Sequence, residues 1–256
     1  MPASLPHGSR RTKRLVLAAL LSLLALGWTT GLAAAEPVSR GPVTAALNAE
    51  AAMGPMHGLF GTGETRSPNL KPFKKWGGVL ARYRSQRDLE TRPCTGRSCA
   101  LRHWRNFLDS LEGRRARYQI NAVQRYVNQV RYIADRRSNR SPDHWATPAE
   151  FFGRGGDCED FAIAKYLSLR ALGFSSNAMR IVVLQDMSLG IPHAVLVVSH
   201  EGQRLVLDNQ LKIVVAAEKI RHYQPYYSIN ENFWWRHNKP DRGSALVAQR
   251  TGGSIQ

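Results

Sequence analysis

Residues 155–160 read Gly-Gly-Asp-Cys-Glu-Asp and place one thiol, Cys158, at the start of an expected helix. The run that follows, Phe161 to Leu172, is apolar on most faces, which predicts a buried helix, and Gly173 ends it as a C-terminal cap would. The glycines tolerate unusual backbone angles and need little room. A sulfur on the first helical turn faces free backbone N–H groups and the positive end of the dipole. That position can lower a cysteine pKa from about 8.5 into the range of roughly 3.5–7.5. A buried structural cysteine behind an Asp157 N-cap fits the same string, and the string alone does not choose between the two.

Two further residues bear on that choice. Beyond Gly173 the pattern becomes short β-branched runs, at 180–185, 193–199, 204–208 and 212–215, with turn residues between them. The runs 193–199 and 204–208 flank His200-Glu201-Gly202-Gln203, which reads as a hairpin loop. Centring the loop between Glu201 and Gly202 pairs residues whose numbers sum to 403, so that Val195 faces Asp208 and His193 faces Gln210. His193 and Asp208 then share one face of the sheet, diagonal to each other; a slip of one residue would separate them. A carboxylate in that place can hold one ring nitrogen of His193, leaving the other to take a proton from a thiol. Singly, a His at a strand start or an Asp at a strand end is an ordinary structural residue. Together with a helix-start Cys they make a Cys-His-Asp set.

These residues need a frame. Arg10, Arg11, Lys13 and Arg14 precede an apolar run from Leu15 to Trp28, and Ala33-Ala34-Ala35 offers a cleavage site. This is the layout of a secretory signal peptide over 1–35, with a retained membrane anchor as the alternative. Export makes the three cysteines informative: Cys94 and Cys99 could close a small disulfide, which leaves Cys158 alone. The formal charge of +17 becomes +13 without the signal segment, 32 basic against 19 acidic residues. The basic residues are scattered and no nucleic-acid motif accompanies them, so a solvated basic surface is expected and no nucleic-acid partner.

Residues 36–66 read as a flexible lead-in and 239–256 as a flexible tail. Residues 67–238 read as a single bilobal domain, with a helical part at 67–141 and an α+β part at 142–238 that meet near Pro142. Helices are expected over 73–84 and 100–111. A third carries the stripe Ala116, Ile120, Val123, Val127, Val130 and Ala134, with Arg117, Arg125, Asn128 and Arg131 on its other side. A buried helix followed by antiparallel strands gives the fold class α+β. The aromatic end of the chain, Tyr223 to Trp235, reads as core.

The order Cys, His, Asp is that of papain- and transglutaminase-type cysteine enzymes. The stretch Trp145–Phe152, the string Gly156–Lys165 and the segments His193–Val198 and Leu205–Gln210 resemble the bacterial transglutaminase-like cysteine proteinases, the LapG family. Residues 128–133 and 227–230 extend the likeness, which runs from about residue 70 to 236. The resemblance implies a papain/transglutaminase-like fold, with a helical N-terminal lobe and an antiparallel sheet packed on a buried catalytic helix. It implies a periplasmic endopeptidase that clips the N-terminal region of a large surface adhesin and so disperses biofilm. An inner-membrane receptor for cyclic di-GMP is implied as the inhibiting partner. Carried over, Cys158 is the nucleophile, His193 the general base and then acid, and Asp208 the residue that orients His193. Trp145 either walls the site or fills the core.

Three carboxylates, Asp157, Glu159 and Asp160, crowd the thiol. As helix-start residues they suit the dipole, yet they oppose thiolate formation by like-charge repulsion. A bound calcium ion would remove the conflict, and the resemblance implies calcium beside the cysteine, with Asp157, Glu159 and Asp160 as its ligands. Transglutaminase-type acyl transfer to an amine and a non-catalytic calcium-responsive binding module remain as alternatives.

Overall fold

A computed structural model describes residues 58–86, 94, 97–134 and 144–238. The expected signal peptide, residues 36–57 of the lead-in, the boundary at Pro142 and the tail from 239 lie outside the described residues. Five α-helices are described: α1 Lys74–Ser85, α2 Arg97–Asp109, α3 Ala116–Val127, α4 Pro148–Arg154 and α5 Cys158–Ala171. The apolar stripe of α3 faces inward as its spacing predicts, burying Ile120, Val123 and Val127. The helix ends at Val127, so Val130 and Ala134 lie in the segment beyond it. The helix α4 was not visible as a periodic pattern because it is only two turns long. Its signal is local instead: Thr147 and Glu150 form a reciprocal capping box, with Pro148 at the first helical position.

Seven strands form one antiparallel sheet in the order β1-β7-β6-β2-β3-β4-β5. They are β1 Gly63–Ser67, β2 Met179–Asp186, β3 Ile191–His200, β4 Gln203–Leu207, β5 Val215–Ala216, β6 Tyr223–Ile229 and β7 Trp234–Asn238. Helix α5 packs across β2 and β3, and its hydrophobic core also takes in Trp76 and Val79 of α1 and the buried stripe of α3. The core is therefore continuous between the helical part and the α+β part. Two indole N–H groups tie it together: Trp76 donates to the Asn230 carbonyl at 3.0 Å, and Trp104 to the Ser168 hydroxyl at 2.8 Å. Trp145, 7 % exposed, belongs to this core. Cys94 and Cys99 are joined in a disulfide.

The strand pattern departs from expectation in three places. Residues 63–66 of the expected lead-in form, with Ser67, the edge strand β1 that pairs with β7. The run at 212–215 shrinks to the two-residue β5, and the aromatic end of the chain supplies β6 and β7 as well as core. Aromatic residues suit a pleated, half-buried surface, so composition alone left strand and core filler undivided.

Strand β1 closes on a buried polar cluster. His237 Nδ1 lies 2.9 Å from the Thr62 hydroxyl and its Nε2 lies 2.9 Å from the Ser228 hydroxyl. Glu64 Oε1 is 3.7 Å from Nδ1, while Glu64 Oε2 accepts from Arg180 at 2.7 Å. Burial pulls His237 down to about 4, against the opposing pull of Glu64. An imidazole depressed in the fold binds its proton in the unfolded chain first. Its contribution to stability is thus complete above the unfolded value near 6.5 and is lost as pH falls towards 4. We expect thermal melts to show stability falling by on the order of 3 kcal/mol across that window. His237→Gln should flatten the slope.

Candidate active site

The turn that carries the thiol is set by two glycines. Gly155 has φ +85°, and a Cβ there would lie 2.4 Å from the Arg131 carbonyl oxygen. A Cβ on Gly156 would lie 2.2 Å from Asp160 Oδ2. The space at Gly155 admits the chain after α3 and that at Gly156 the Asp160 carboxylate; Tyr132 forms a parallel bridge with Gly156, and Ile133 N–H donates to the Gly156 carbonyl at 2.8 Å. The catalytic helix thus starts from a clamped position, with Asp157 as its N-cap and Cys158 first in the helix.

The β3–β4 hairpin follows the expected register. Leu196 pairs with Leu207 and His200 with Gln203, and Glu201 (φ +49°) and Gly202 (φ +73°) form the two-residue turn. Two consecutive positive φ values are what a type I′ hairpin turn requires. Regular pairing stops at Leu207, so Asp208 stands one residue beyond the strand and turns towards His193. His193 Nε2 lies 2.9 Å from Asp208 Oδ1, with both side chains almost wholly buried. Nδ1 remains as the nitrogen able to exchange a proton with a reactant.

Asp208 is held from all sides. Tyr223 Oη donates to its Oδ2, and the Gln210 N–H donates to Oδ1 at 2.8 Å. Its backbone carbonyl accepts from the side-chain amides of Gln124 at 2.7 Å and Asn128 at 3.0 Å. Burial pushes the Asp208 carboxyl up, but the hydrogen bond and charge of His193, with Tyr223 and Gln210, outweigh it and hold the group below the usual carboxylate range. The carboxylate is therefore ionised in the fold at neutral pH, which an orienting partner for an imidazole requires. In the sequence Tyr223 is one more core aromatic, Gln124 carries no signal, and Asn128 falls on the side opposite the apolar stripe; in the fold it is the C-cap of α3.

Cys158 is half-buried and unpaired by disulfide. The backbone amide of Ala194, the residue after His193, is hydrogen-bonded to its sulfur. Thiol and imidazole are thereby brought to one spot, the helix start against the strand start. Burial pushes the thiol up, the Glu159 charge and the thiol's 3.1 Å hydrogen bond to Glu159 push it further, and Asp157 adds to them; the Ala194 amide opposes. Left to these groups alone, the sulfur keeps its proton.

The acidic string divides. Asp160 is fully buried and fixes the turn: Oδ1 accepts from the Ala146 N–H at 2.6 Å and Oδ2 from the Asp157 N–H at 3.4 Å. Among the described residues no three His, Cys, Asp or Glu side chains form a metal cluster. Asp157 and Glu159, which flank the thiol, fit a hard cation by chemistry: both are carboxylates, and the charge they set beside the sulfur is what a divalent ion offsets.

Comparison with known proteins gives the site its family. The bacterial transglutaminase-like cysteine proteinase (BTLCP) family matches residues 94–239. The structure of Legionella pneumophila LapG is similar, with 29 % identity and a TM-score of 0.53 over 68 % of this chain and 94 % of that one. Its calcium-bound form gives 29 % and 0.52, covering 67 % and 99 %; its EGTA-treated form gives 28 % and 0.52, covering 67 % and 97 %. Curated protein sequences gave no match. With the α+β arrangement of helices on an antiparallel sheet, these findings show that the chain belongs to the bacterial transglutaminase-like cysteine proteinases, a family of cysteine proteases.

Proposed function

We propose that the chain is an exported, calcium-dependent cysteine endopeptidase working through Cys158, His193 and Asp208. The observation that carries this reading is the buried His193–Asp208 pair set against a helix-start thiol through the Ala194 amide. In this reading His193 Nδ1 takes the Cys158 proton as the sulfur attacks the scissile carbonyl carbon. The imidazolium then gives that proton to the departing amine nitrogen, leaving a thioester on Cys158. Water, deprotonated by Nδ1, attacks the thioester carbon; the acid product leaves and the thiol is restored. The Cys158 N–H, at a helix N-terminus, is suited to receive the oxyanion.

Asp157 and Glu159, with Asp160 behind them, are the residues that would hold calcium. A divalent charge there would offset the two carboxylates that keep the thiol protonated. That LapG has been solved calcium-bound and EGTA-treated supports the proposal for this relative. The family likeness further supports a periplasmic location, cleavage of the N-terminal region of a large surface adhesin with release of biofilm, and inhibition by an inner-membrane cyclic di-GMP receptor.

Chelation tests the calcium part. Treating the protein with EGTA should slow iodoacetamide alkylation of Cys158 at pH 7 at least tenfold, and calcium should restore it; Asp157→Asn with Glu159→Gln should remove the response. Alkylation equally fast with EGTA and with calcium would exclude calcium from the site. Proteolysis of an adhesin N-terminal segment without incorporation of an added primary amine would separate hydrolysis from acyl transfer.

A further inference from the structure

Among the described residues, Phe60 and Glu201 are the non-glycines with a positive φ. Glu201 sits in the β3–β4 hairpin turn, which requires that conformation. Phe60 sits in the short turn Leu59–Gly61 ahead of β1, at φ 56° and ψ 33°. Glycine takes these left-handed angles freely, whereas a bulky side chain does not. They persist only where the surroundings over-determine them.

The turn is fixed at both ends. Leu59 is buried among Val182, Leu184, Val195 and Tyr223, and its N–H donates to Glu64 Oε1 at 2.7 Å. The Thr62 hydroxyl donates to the Leu59 carbonyl at 2.8 Å and meets His237. A Cβ on Gly58 would lie 2.2 Å from the Thr62 carbonyl oxygen, so the turn closes tightly on itself. The buried cluster of Glu64, Arg180 and His237 thereby anchors it.

The Phe60 ring lies edge-on to that of Tyr223, with centroids 5.5 Å apart at 70°. Tyr223 also meets the His222 ring at 4.7 Å and the His193 ring at 6.0 Å, and its hydroxyl donates to Asp208 Oδ2. In the sheet, β2 and β3 stand between β6, which carries Tyr223, and β4, which precedes Asp208. Strand pairing therefore does not set where phenol and carboxylate meet; the rings packed on Tyr223 do. Asp208 Oδ1 is shared by His193 and the Gln210 N–H, so the grip on Oδ2 fixes the plane of the carboxylate. Without it the carboxylate turns about Oδ1 and its bond to Nε2 falls out of line. The released group gains basicity but no longer directs Nδ1 to the thiol.

We propose that Phe60 is a positioning residue of the catalytic machinery: its ring, set by the anchored turn before β1, props Tyr223 against Asp208 and so holds His193 in line. This role rests on the triad proposed above.

The test is the rate of Cys158 alkylation by iodoacetamide at pH 7 in the calcium-supplied full chain, run as a double-mutant cycle. Tyr223→Phe should slow it about tenfold, the scale of a hydrogen bond to a charged group. Phe60→Leu keeps an apolar side chain but removes the ring, and should slow it about fivefold. Phe60→Tyr keeps the ring and should restore the rate. Phe60→Leu added to Tyr223→Phe should slow alkylation no further than Tyr223→Phe alone, because the prop acts through the hydroxyl. A side chain that only fills the core would change the melting temperature and leave the rate alone. Phe60→Met serves should the leucine variant fold poorly. A rate unmoved by Phe60→Leu, slowed by the same factor with and without the Tyr223 hydroxyl, or slowed equally by Phe60→Tyr would overturn the role of Phe60 alone, provided Asp208→Asn still slows alkylation. A rate unmoved by Asp208→Asn as well would overturn the triad and this inference together.

Discussion

Cys158→Ala is expected to abolish proteolysis outright while leaving the fold intact. The thiol's polar contacts are a hydrogen bond to the adjacent Glu159 and one from the Ala194 amide, and it is half-buried. Its removal therefore empties little volume and relieves a thiol that its surroundings hold protonated. The stability change should stay within about 1 kcal/mol, read as a shift of a few degrees at most in a thermal melt. Activity has no such cushion, because no other free cysteine exists in the chain once Cys94 and Cys99 are paired. Residual cleavage by the purified variant would move the nucleophile elsewhere.

Asp208→Asn should cost about 10²–10⁴ in kcat with a much smaller change in KM. The reason is donor counting. Asp208 accepts from Tyr223 through one oxygen and from the Gln210 amide through the other, which also meets His193 Nε2. An asparagine has one acceptor oxygen and must point an NH₂ at one of these donors. If the amide faces the imidazole, Nε2 becomes the acceptor and Nδ1 the protonated nitrogen, which is the wrong tautomer for taking a thiol proton. If it faces Tyr223 instead, the hydroxyl must turn to accept from it, and the imidazole keeps its orientation but loses the charge that stabilises its protonated form. Both arrangements weaken the base. A parallel collapse of KM would instead mark Asp208 as part of the binding surface.

The parts of the site legible in the sequence were those with short-range rules. Asp157 and the glycines announce a helix start, and the helix, with Gly173 at φ +91° just past its end, is where the pattern put it. Glu201-Gly202 fixes the hairpin register, and register carries His193 and Asp208 to one face because side chains alternate with period two. What the sequence concealed lies on other elements. Gln124 sits on the apolar stripe of α3, where a lone amide reads as a blemish, yet both it and Asn128 grip the Asp208 carbonyl. Tyr223 was hidden among aromatics, and its hydroxyl is assigned only by the neighbour across the fold. The contact of Asp160 with the Ala146 N–H was equally hidden, because a carboxylate at the third helical position announces only a cap. Strand β1 escaped notice because its partner β7 is about 170 residues away, and nothing in Gly63-Glu-Thr-Arg-Ser67 marks an edge strand by itself.

The central claim is that His193 activates Cys158. It is tested most directly by the pH dependence of iodoacetamide alkylation at Cys158 in the calcium-supplied protein, compared with His193→Ala. The account predicts fast alkylation near neutral pH in the parent. In the variant, alkylation should rise only above about pH 8, where an ordinary thiol titrates. Superimposable profiles for the two proteins would contradict it, leaving Cys158 without a base and the buried His193–Asp208 pair without a catalytic part.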